Sequence, residues 1–169
     1  MNNNTQPSEA PAIAAATART VLPARQLARL RGSSFGALVM LILQFAIGMV
    51  VNLYVTVPAS DQGSGFFSAL GKALSHGPAA LASHAGLGVL LMVAAIALLG
   101  RAIQARHAPT IVLASVGLLA IAAAAVNGVR FVSDGGASNA SLAMALSAAV
   151  AMLCYATSLL VLGGARTAS

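Results

Sequence analysis

Residues 80–100 read ALASHAGLGVLLMVAAIALLG, an apolar run that contains one imidazole, His84. An α-helix needs about 20 apolar residues to cross the hydrocarbon core of a bilayer. Because lipid offers no hydrogen-bond partner to the backbone, a continuous apolar run of this length must be helical. The stretch therefore predicts a membrane-spanning helix that carries a titratable side chain near its start.

The composition of the whole chain agrees with a membrane location. Of 169 residues, 59% are hydrophobic and 7% are charged, whereas about 25% are charged in an average soluble domain. The net charge of +6 comes from basic residues beside apolar segments, so membrane topology explains it better than nucleic-acid binding does. The single cysteine, Cys154, excludes an intramolecular disulfide framework. We expect an integral membrane protein with the lipid bilayer, and no nucleic acid, as its surroundings.

Four segments are long and apolar enough to span the bilayer, and proline or Asp-Gly-Gly sequences separate them. They cover residues 36–57, 79–100, 110–129 and 140–163. Short connections place sequential helices side by side in opposite directions. The sequence therefore predicts an all-α, four-helix transmembrane domain over residues 33–164.

The long connection after the first span has helical spacing of its own. Phe66, Phe67, Leu70 and Leu74 fall on one side of a helix over residues 65–75. Such an amphipathic segment is expected to lie in the membrane interface. It is either an ordinary connector or a lid over a site.

The basic residues predict the orientation. On one side of the spans lie Arg19, Arg25, Arg29, Arg31, Arg101, Arg106 and Arg166. The other side has Lys72 and Arg130. Basic loops stay on the cytoplasmic side of a membrane. We therefore expect a multi-pass protein of the cytoplasmic membrane with both termini in the cytoplasm. The N-terminal part is expected to be a disordered basic tail over residues 1–32, and the C-terminal part a short tail over residues 165–169. Cleavage of a signal peptide near Ala59 is disfavoured, since its apolar region would exceed the usual length of about 7 to 15 residues.

A weak internal repeat divides the chain into two halves. VNLYV at residues 51–55 corresponds to VNGVRFV at 126–132, and ASHAGL at 82–87 corresponds to ASNASL at 137–142. The pattern favours two tandem helical hairpins, with the same direction of insertion for each copy.

Polar residues within the spans define the candidate site. Asn52, His84 and Asn127 fall at similar depths, and Arg130 lies one turn beyond Asn127. Gln44 lies on the same face of the first span as Asn52, at i and i+8. Polar groups in a membrane bundle face its interior, so we expect these side chains to converge. His84 is either a neutral imidazole that bonds neighbouring helices, or an axial ligand to haem iron with Asn127 and Arg130 near a propionate.

Small residues recur at helical spacing on the last two spans and predict close helix contacts there. They are Gly117, Ala120, Ala124 and Asn127 on the third span, and Ser138, Ser141, Ala145 and Ala148 on the fourth.

Two resemblances add to this interpretation. LQFAIGMVVNLYVTVP at residues 43–58 and SHAGLGVLLMVAAIALLGRAI at 83–103 are similar to small four-span integral membrane proteins of actinobacterial type, a group that implies the fold but no activity. More distantly, the Gln-x-x-x-Gly of QFAIG and the His84 that opens the second span resemble one four-helix half of haem A synthase. That resemblance implies haem b as the candidate cofactor, with His84 as its metal ligand.

The chain departs from haem A synthase at two points. Asn139 stands where the resemblance implies a second histidine on the fourth span, and no span contains an acid. The departure leaves a bundle without haem, a five-coordinate haem, or a haem shared by a homodimer. We therefore expect a non-catalytic accessory or scaffold protein, alone or with a membrane partner, and the alternative is a haem-binding redox or haem-handling protein.

Labelling of single cysteines tests the predicted orientation. In a Cys154→Ser background, a membrane-impermeant thiol reagent added to intact cells should modify Ser68→Cys and leave Ala105→Cys unmodified. The opposite labelling pattern would overturn the orientation derived from the basic residues.

Overall fold

The computed structural model describes residues 22–57, 59, 62–63 and 65–165. Within this part the chain forms helices and no β-strand. The helices are α1 (Ala24–Tyr54), α2 (Phe66–Ser75), α3 (Ala79–Gln104), α4 (Ala108–Ser133) and α5 (Ser138–Gly163). All except α2 are long and apolar enough to cross a membrane. The expectation of an all-α protein with four candidate membrane spans is confirmed.

The first helix is longer than the sequence predicted. It begins at Ala24, so residues 24–32 form its first turns and do not belong to a disordered tail. The reason is packing, because Leu27, Leu30 and Ser34 recur at helical spacing and are buried. The rest of the predicted tails, residues 1–21 and 166–169, lies outside the described residues.

The four long helices form a closed ring. Helix α1 packs against α3, α3 against α4, α4 against α5, and α5 back against α1. Arg31 of α1 donates a hydrogen bond of 2.7 Å from Nη2 to the carbonyl of Leu162 in α5. The start of α1 and the end of α5 therefore share one end of the bundle, the terminal end. The opposite end, which carries α2, is the α2 end.

The bundle is tightly packed toward the terminal end. Ala95, Leu98, Ala102, Ala151 and Leu162 have 0% exposed surface. A hydrogen bond of 3.2 Å between the buried hydroxyls of Ser34 and Ser158 joins α1 to α5. Small residues allow the helix backbones to approach closely at this end, and the two hydroxyls satisfy each other away from water.

The connection between α3 and α4 contains a buried histidine, although its neighbour Arg106 is exposed. His107 is 5% exposed, and its Nδ1 shares a hydrogen bond of 2.8 Å with the hydroxyl of Thr110. Burial lowers the pKa of the His107 imidazole below its ordinary value. The neutral histidine therefore occupies the N-cap position of α4, and its ring bonds the Thr110 hydroxyl instead of a backbone N–H of the helix.

A second, smaller apolar cluster closes the α2 end. Val51, Leu81, Phe131 and Val132 are buried there together with Ala73 of α2. Helix α2 lies against α3 and α4. The predicted helix over residues 65–75 is therefore present, and it packs on the bundle through Ala69 and Ala73. The side chains of Phe66, Phe67 and Leu74, from its predicted apolar side, are exposed.

A close contact between α4 and α5 provides a test of the packing. A Cβ added at Gly117 would lie 2.8 Å from Cζ of Tyr155, a side chain with 0% exposed surface. Gly117→Ala should destabilise the protein in detergent by about 1 to 3 kcal/mol, because the ring must move within a packed core.

Two variants make this thermal-unfolding measurement specific. Gly100→Ala should cost little, since its added Cβ would meet no atom within 4 Å. In a Tyr155→Leu background, Gly117→Ala should cost less than in the wild-type chain. Equal costs in both backgrounds would show that the tyrosine ring does not set the spacing of α4 and α5.

Candidate functional site

The centre of the candidate site is a reciprocal contact between α1 and α3, formed by Gln44, Gly48, His84 and Gly88. Added Cβ atoms show how close the surfaces are. One at Gly48 would lie 2.9 Å from Cε1 of His84, and one at Gly88 would lie 3.1 Å from Nε2 of Gln44. Each helix therefore places a polar side chain against a glycine of the other. Within each helix the polar residue and the glycine are four residues apart.

Hydrogen bonds fix the two polar side chains to each other. Gln44 Nε2 donates to the backbone carbonyl of His84 at 2.9 Å, and it lies 3.2 Å from His84 Nε2. Reversing the Gln44 amide would place two acceptor oxygens 2.9 Å apart, so the NH₂ group must face His84. His84 Nε2 then accepts a hydrogen bond, and the neutral ring carries its proton on Nδ1.

Two polar atoms of this contact have no hydrogen-bond partner in the described part of the chain. They are Gln44 Oε1 and His84 Nδ1, and both are buried. A buried polar atom without a partner costs about 1 to 3 kcal/mol. The contact between α1 and α3 is therefore close, but two of its buried polar atoms lack a hydrogen bond.

A cavity of about 450 Å³ lies beside the reciprocal contact. All five helices of the described part contribute to its wall, through the half of each long helix that is nearer to the α2 end. The wall contains members of both apolar clusters, such as Leu91 and Phe131. The cavity, here called the central cavity, thus separates the packed terminal end from the cluster at the α2 end.

The central cavity reaches the surface of the bundle on the side of α1 and α3. Its wall includes Phe45, Met49, Val89 and Val93, and these side chains are 40 to 58% exposed. An exposed apolar side chain on a spanning helix faces hydrocarbon in a membrane. With the four long helices in a bilayer, this side of the cavity would lie next to lipid.

The structure brings together some of the predicted site residues. Gln44, Asn52 and His84 line the central cavity, and Gln44 contacts His84 directly. Asn127 and Arg130 are not part of the cavity wall. Asn127 Nδ2 donates to the carbonyl of Ala123 on its own helix at 2.8 Å, because this short i−4 bond satisfies an amide without a neighbouring helix.

The haem interpretation of His84 can be tested against this geometry. An imidazole binds iron through a nitrogen lone pair. The lone pair of His84 Nε2 accepts the Gln44 amide, and Nδ1 is enclosed. Asn139, at the position of the implied second ligand, is exposed and does not line the cavity. This arrangement does not fit a haem b bound by His84.

Other metal sites receive no support from the side-chain positions. Within the described ranges, no three residues among His, Cys, Asp and Glu come together in a way that could hold a metal ion. The chemistry available at the site is therefore hydrogen bonding by four polar side chains in an otherwise apolar wall, those of Gln44, Asn52, His84 and Ser141.

Sequence reasoning identified the polar residues of the contact but not the role of Gly88 opposite Gln44. The signal was present, because Gln44–Gly48 and His84–Gly88 have equal spacing on neighbouring antiparallel helices. Two such pairs in opposite directions allow each polar side chain to lie on a glycine.

Comparison with known proteins returned no family model, no curated protein and no solved structure similar to this chain. Functional conclusions therefore depend on the reciprocal contact, the central cavity and the distribution of charge.

Substitution of Gly48 tests the reciprocal contact. Because the new methyl group would lie 2.9 Å from the His84 ring, Gly48→Ala should lower the free energy of unfolding in detergent by about 1 to 3 kcal/mol. Gly36→Ala on the same helix is the matched control, since its Cβ would meet nothing within 4 Å.

Removal of the ring should relieve the clash. In a His84→Ala background, Gly48→Ala should cost much less than in the wild-type chain, as a double-mutant cycle would show. If the cost of Gly48→Ala were the same in both backgrounds, the imidazole would not pack on this glycine.

Proposed function

We propose that this protein is a non-catalytic scaffold or accessory protein of the cytoplasmic membrane, and that its central cavity holds the hydrocarbon chain of a lipid-soluble molecule. The observation that carries the proposal is the cavity itself. It measures about 450 Å³, and its polar side chains are those of Gln44, Asn52, His84 and Ser141.

The size and lining of the cavity suit an apolar occupant. Sites for small molecules measure about 300 to 1,000 Å³ and are lined mainly by apolar side chains. An empty apolar space forfeits the dispersion contacts that its wall could make. Since the opening lies beside Phe45, Met49, Val89 and Val93, a hydrocarbon chain can enter from the bilayer and restore those contacts.

The chemistry of the wall favours binding over catalysis. The amide of Gln44 does not titrate. His84 Nε2 accepts the Gln44 amide hydrogen and His84 Nδ1 is enclosed, so the imidazole is not presented to a substrate. Asp134 is the single acidic residue of the described part, and it lies in the connection between α4 and α5. Acid–base catalysis needs a proton donor or acceptor within hydrogen-bond reach of the substrate, and the cavity wall supplies no carboxylate for this purpose.

The distribution of charge supports the cytoplasmic placement of the terminal end. Helix α1 begins with Arg25, Arg29 and Arg31, and the end of α3 adds Arg101. Basic residues beside spanning helices favour the cytoplasmic side. This proposal leaves the haem-handling alternative with less support, because the ring nitrogens of His84 are engaged or enclosed.

Filling the cavity tests the proposal directly. Ala124 and Ala145 both line it, so Ala124→Leu combined with Ala145→Leu should occupy much of its volume. We expect a fluorescent acyl-chain probe to bind the purified full chain in detergent, and the double variant to bind it about tenfold more weakly. The melting temperature should stay equal or rise, as is usual when a cavity is filled.

Ala123→Leu is the control, because Ala123 is exposed on the same helix and does not line the cavity. It should bind the probe as the wild-type protein does. Probe affinity unchanged in the double variant, together with an intact melting transition, would show that the cavity is not the binding site.

A further inference from the structure

A second cleft lies at the terminal end, outside the central cavity. Arg29, Gly32 and Ser33 of α1 and Arg101 of α3 line a cleft of about 390 Å³, here called the arginine cleft. It faces the same end of the bundle as the first turns of α1 and the last turn of α3. Residues from two different spanning helices therefore form one basic site.

The two guanidinium groups differ in how they are held. Arg101 Nη1 donates to the hydroxyl of Ser33, and that hydroxyl donates to the carbonyl of Arg29 at 2.7 Å. The neutral serine orients Arg101 without cancelling its charge. The guanidinium of Arg29 has no hydrogen-bond or ion-pair partner in the described part of the chain.

No acidic side chain of the described ranges can neutralise the cleft. The single acid there, Asp134, follows α4 at the opposite end of the bundle. Two arginines that converge without a carboxylate leave several N–H donors and a positive potential available to an anion. Guanidinium groups match the geometry of phosphate oxygens, which they bind through paired hydrogen bonds.

Glycines of both helices leave open space at or near the cleft. Added Cβ atoms at Gly32, Gly36 and Gly100 would meet no atom within 4 Å. Gly36 lies one turn from Gly32 toward the membrane centre, and Gly100 precedes Arg101. Space for a chain thus adjoins the basic groups.

We propose that the arginine cleft binds the phosphate of an anionic phospholipid, with Arg29 and Arg101 as the anion-binding groups and Ser33 as the residue that positions Arg101. Basic clefts between spanning helices on the cytoplasmic side commonly bind anionic head groups. The neighbouring open space accommodates the start of an acyl chain. This site is independent of the central cavity.

Native mass spectrometry of the full chain in detergent tests the proposal, with phosphatidylglycerol and phosphatidylcholine supplied at equal concentrations. The wild-type protein should retain phosphatidylglycerol preferentially and gain thermal stability from it. Arg29→Gln combined with Arg101→Gln should retain it about tenfold less and lose the gain in melting temperature. Arg29→Lys combined with Arg101→Lys should keep part of the preference.

Arg130→Gln is the matched control, since Arg130 is an exposed arginine near the α2 end and its loss should leave retention unchanged. An equal loss in Arg130→Gln, or full retention in the double glutamine variant, would overturn the proposal.

Inorganic phosphate forms a further arm of the experiment. If it raised the melting temperature as much as phosphatidylglycerol does, the cleft would be a site for free phosphate and the lipid assignment would be wrong. If the double variant failed to fold, Arg29→Gln alone should still weaken retention, and unchanged retention would again overturn the proposal.

Discussion

The contact of Gln44 and His84 with Gly88 and Gly48 sets the geometry on which the rest of the bundle depends. A glycine on each helix permits a polar side chain of the other to lie directly on its backbone. In hydrocarbon, where helices gain little from the hydrophobic effect, such close packing and a shared hydrogen bond are the main sources of association. The unpaired Gln44 Oε1 and His84 Nδ1 reduce this gain, so the pair specifies the register of α1 and α3 more than it adds stability.

That register places an open region beside the contact. Toward the terminal end, the side chains of the interior have no exposed surface, among them alanines, leucines and the Tyr155 ring. Nearer the α2 end, the facing side chains include Gly128, Ala124, Ala145 and Ala148, which are too small to meet across a ring of four helices. Small residues therefore have different effects in the two halves. At the terminal end the Tyr155 ring packs on Gly117, whereas Ala124, Ala145 and Ala148 line the central cavity. An apolar cavity that opens to lipid is the result.

Much of this fold follows from hydropathy, and the site follows only in part. Apolar length predicted the spans, and the spacing around Phe66 predicted α2. The early start of α1 could not be seen, because three arginines make its first turns polar in sequence. Leu27 and Leu30, which alternate with these arginines, are nevertheless buried by the neighbours of α1. Depth arguments brought Gln44 and His84 together but also included Asn127, whose amide bonds its own helix. The position of a residue along a helix gives its depth in the membrane. The direction of its side chain depends on the rotation of the helix about its own axis, which is determined by packing against neighbouring helices.

The bond from Arg31 to the carbonyl of Leu162 has a consequence for biogenesis. It joins the first spanning helix to the end of the last, so the ring can close only after α5 has been synthesised and inserted. Until then, α1 and α3 can already be adjacent through Gln44 and His84, while the face of α1 that will receive α5 remains in contact with lipid or with insertion machinery. The hydrogen bond between Ser34 and Ser158 also joins α1 to α5, so it too requires the last helix.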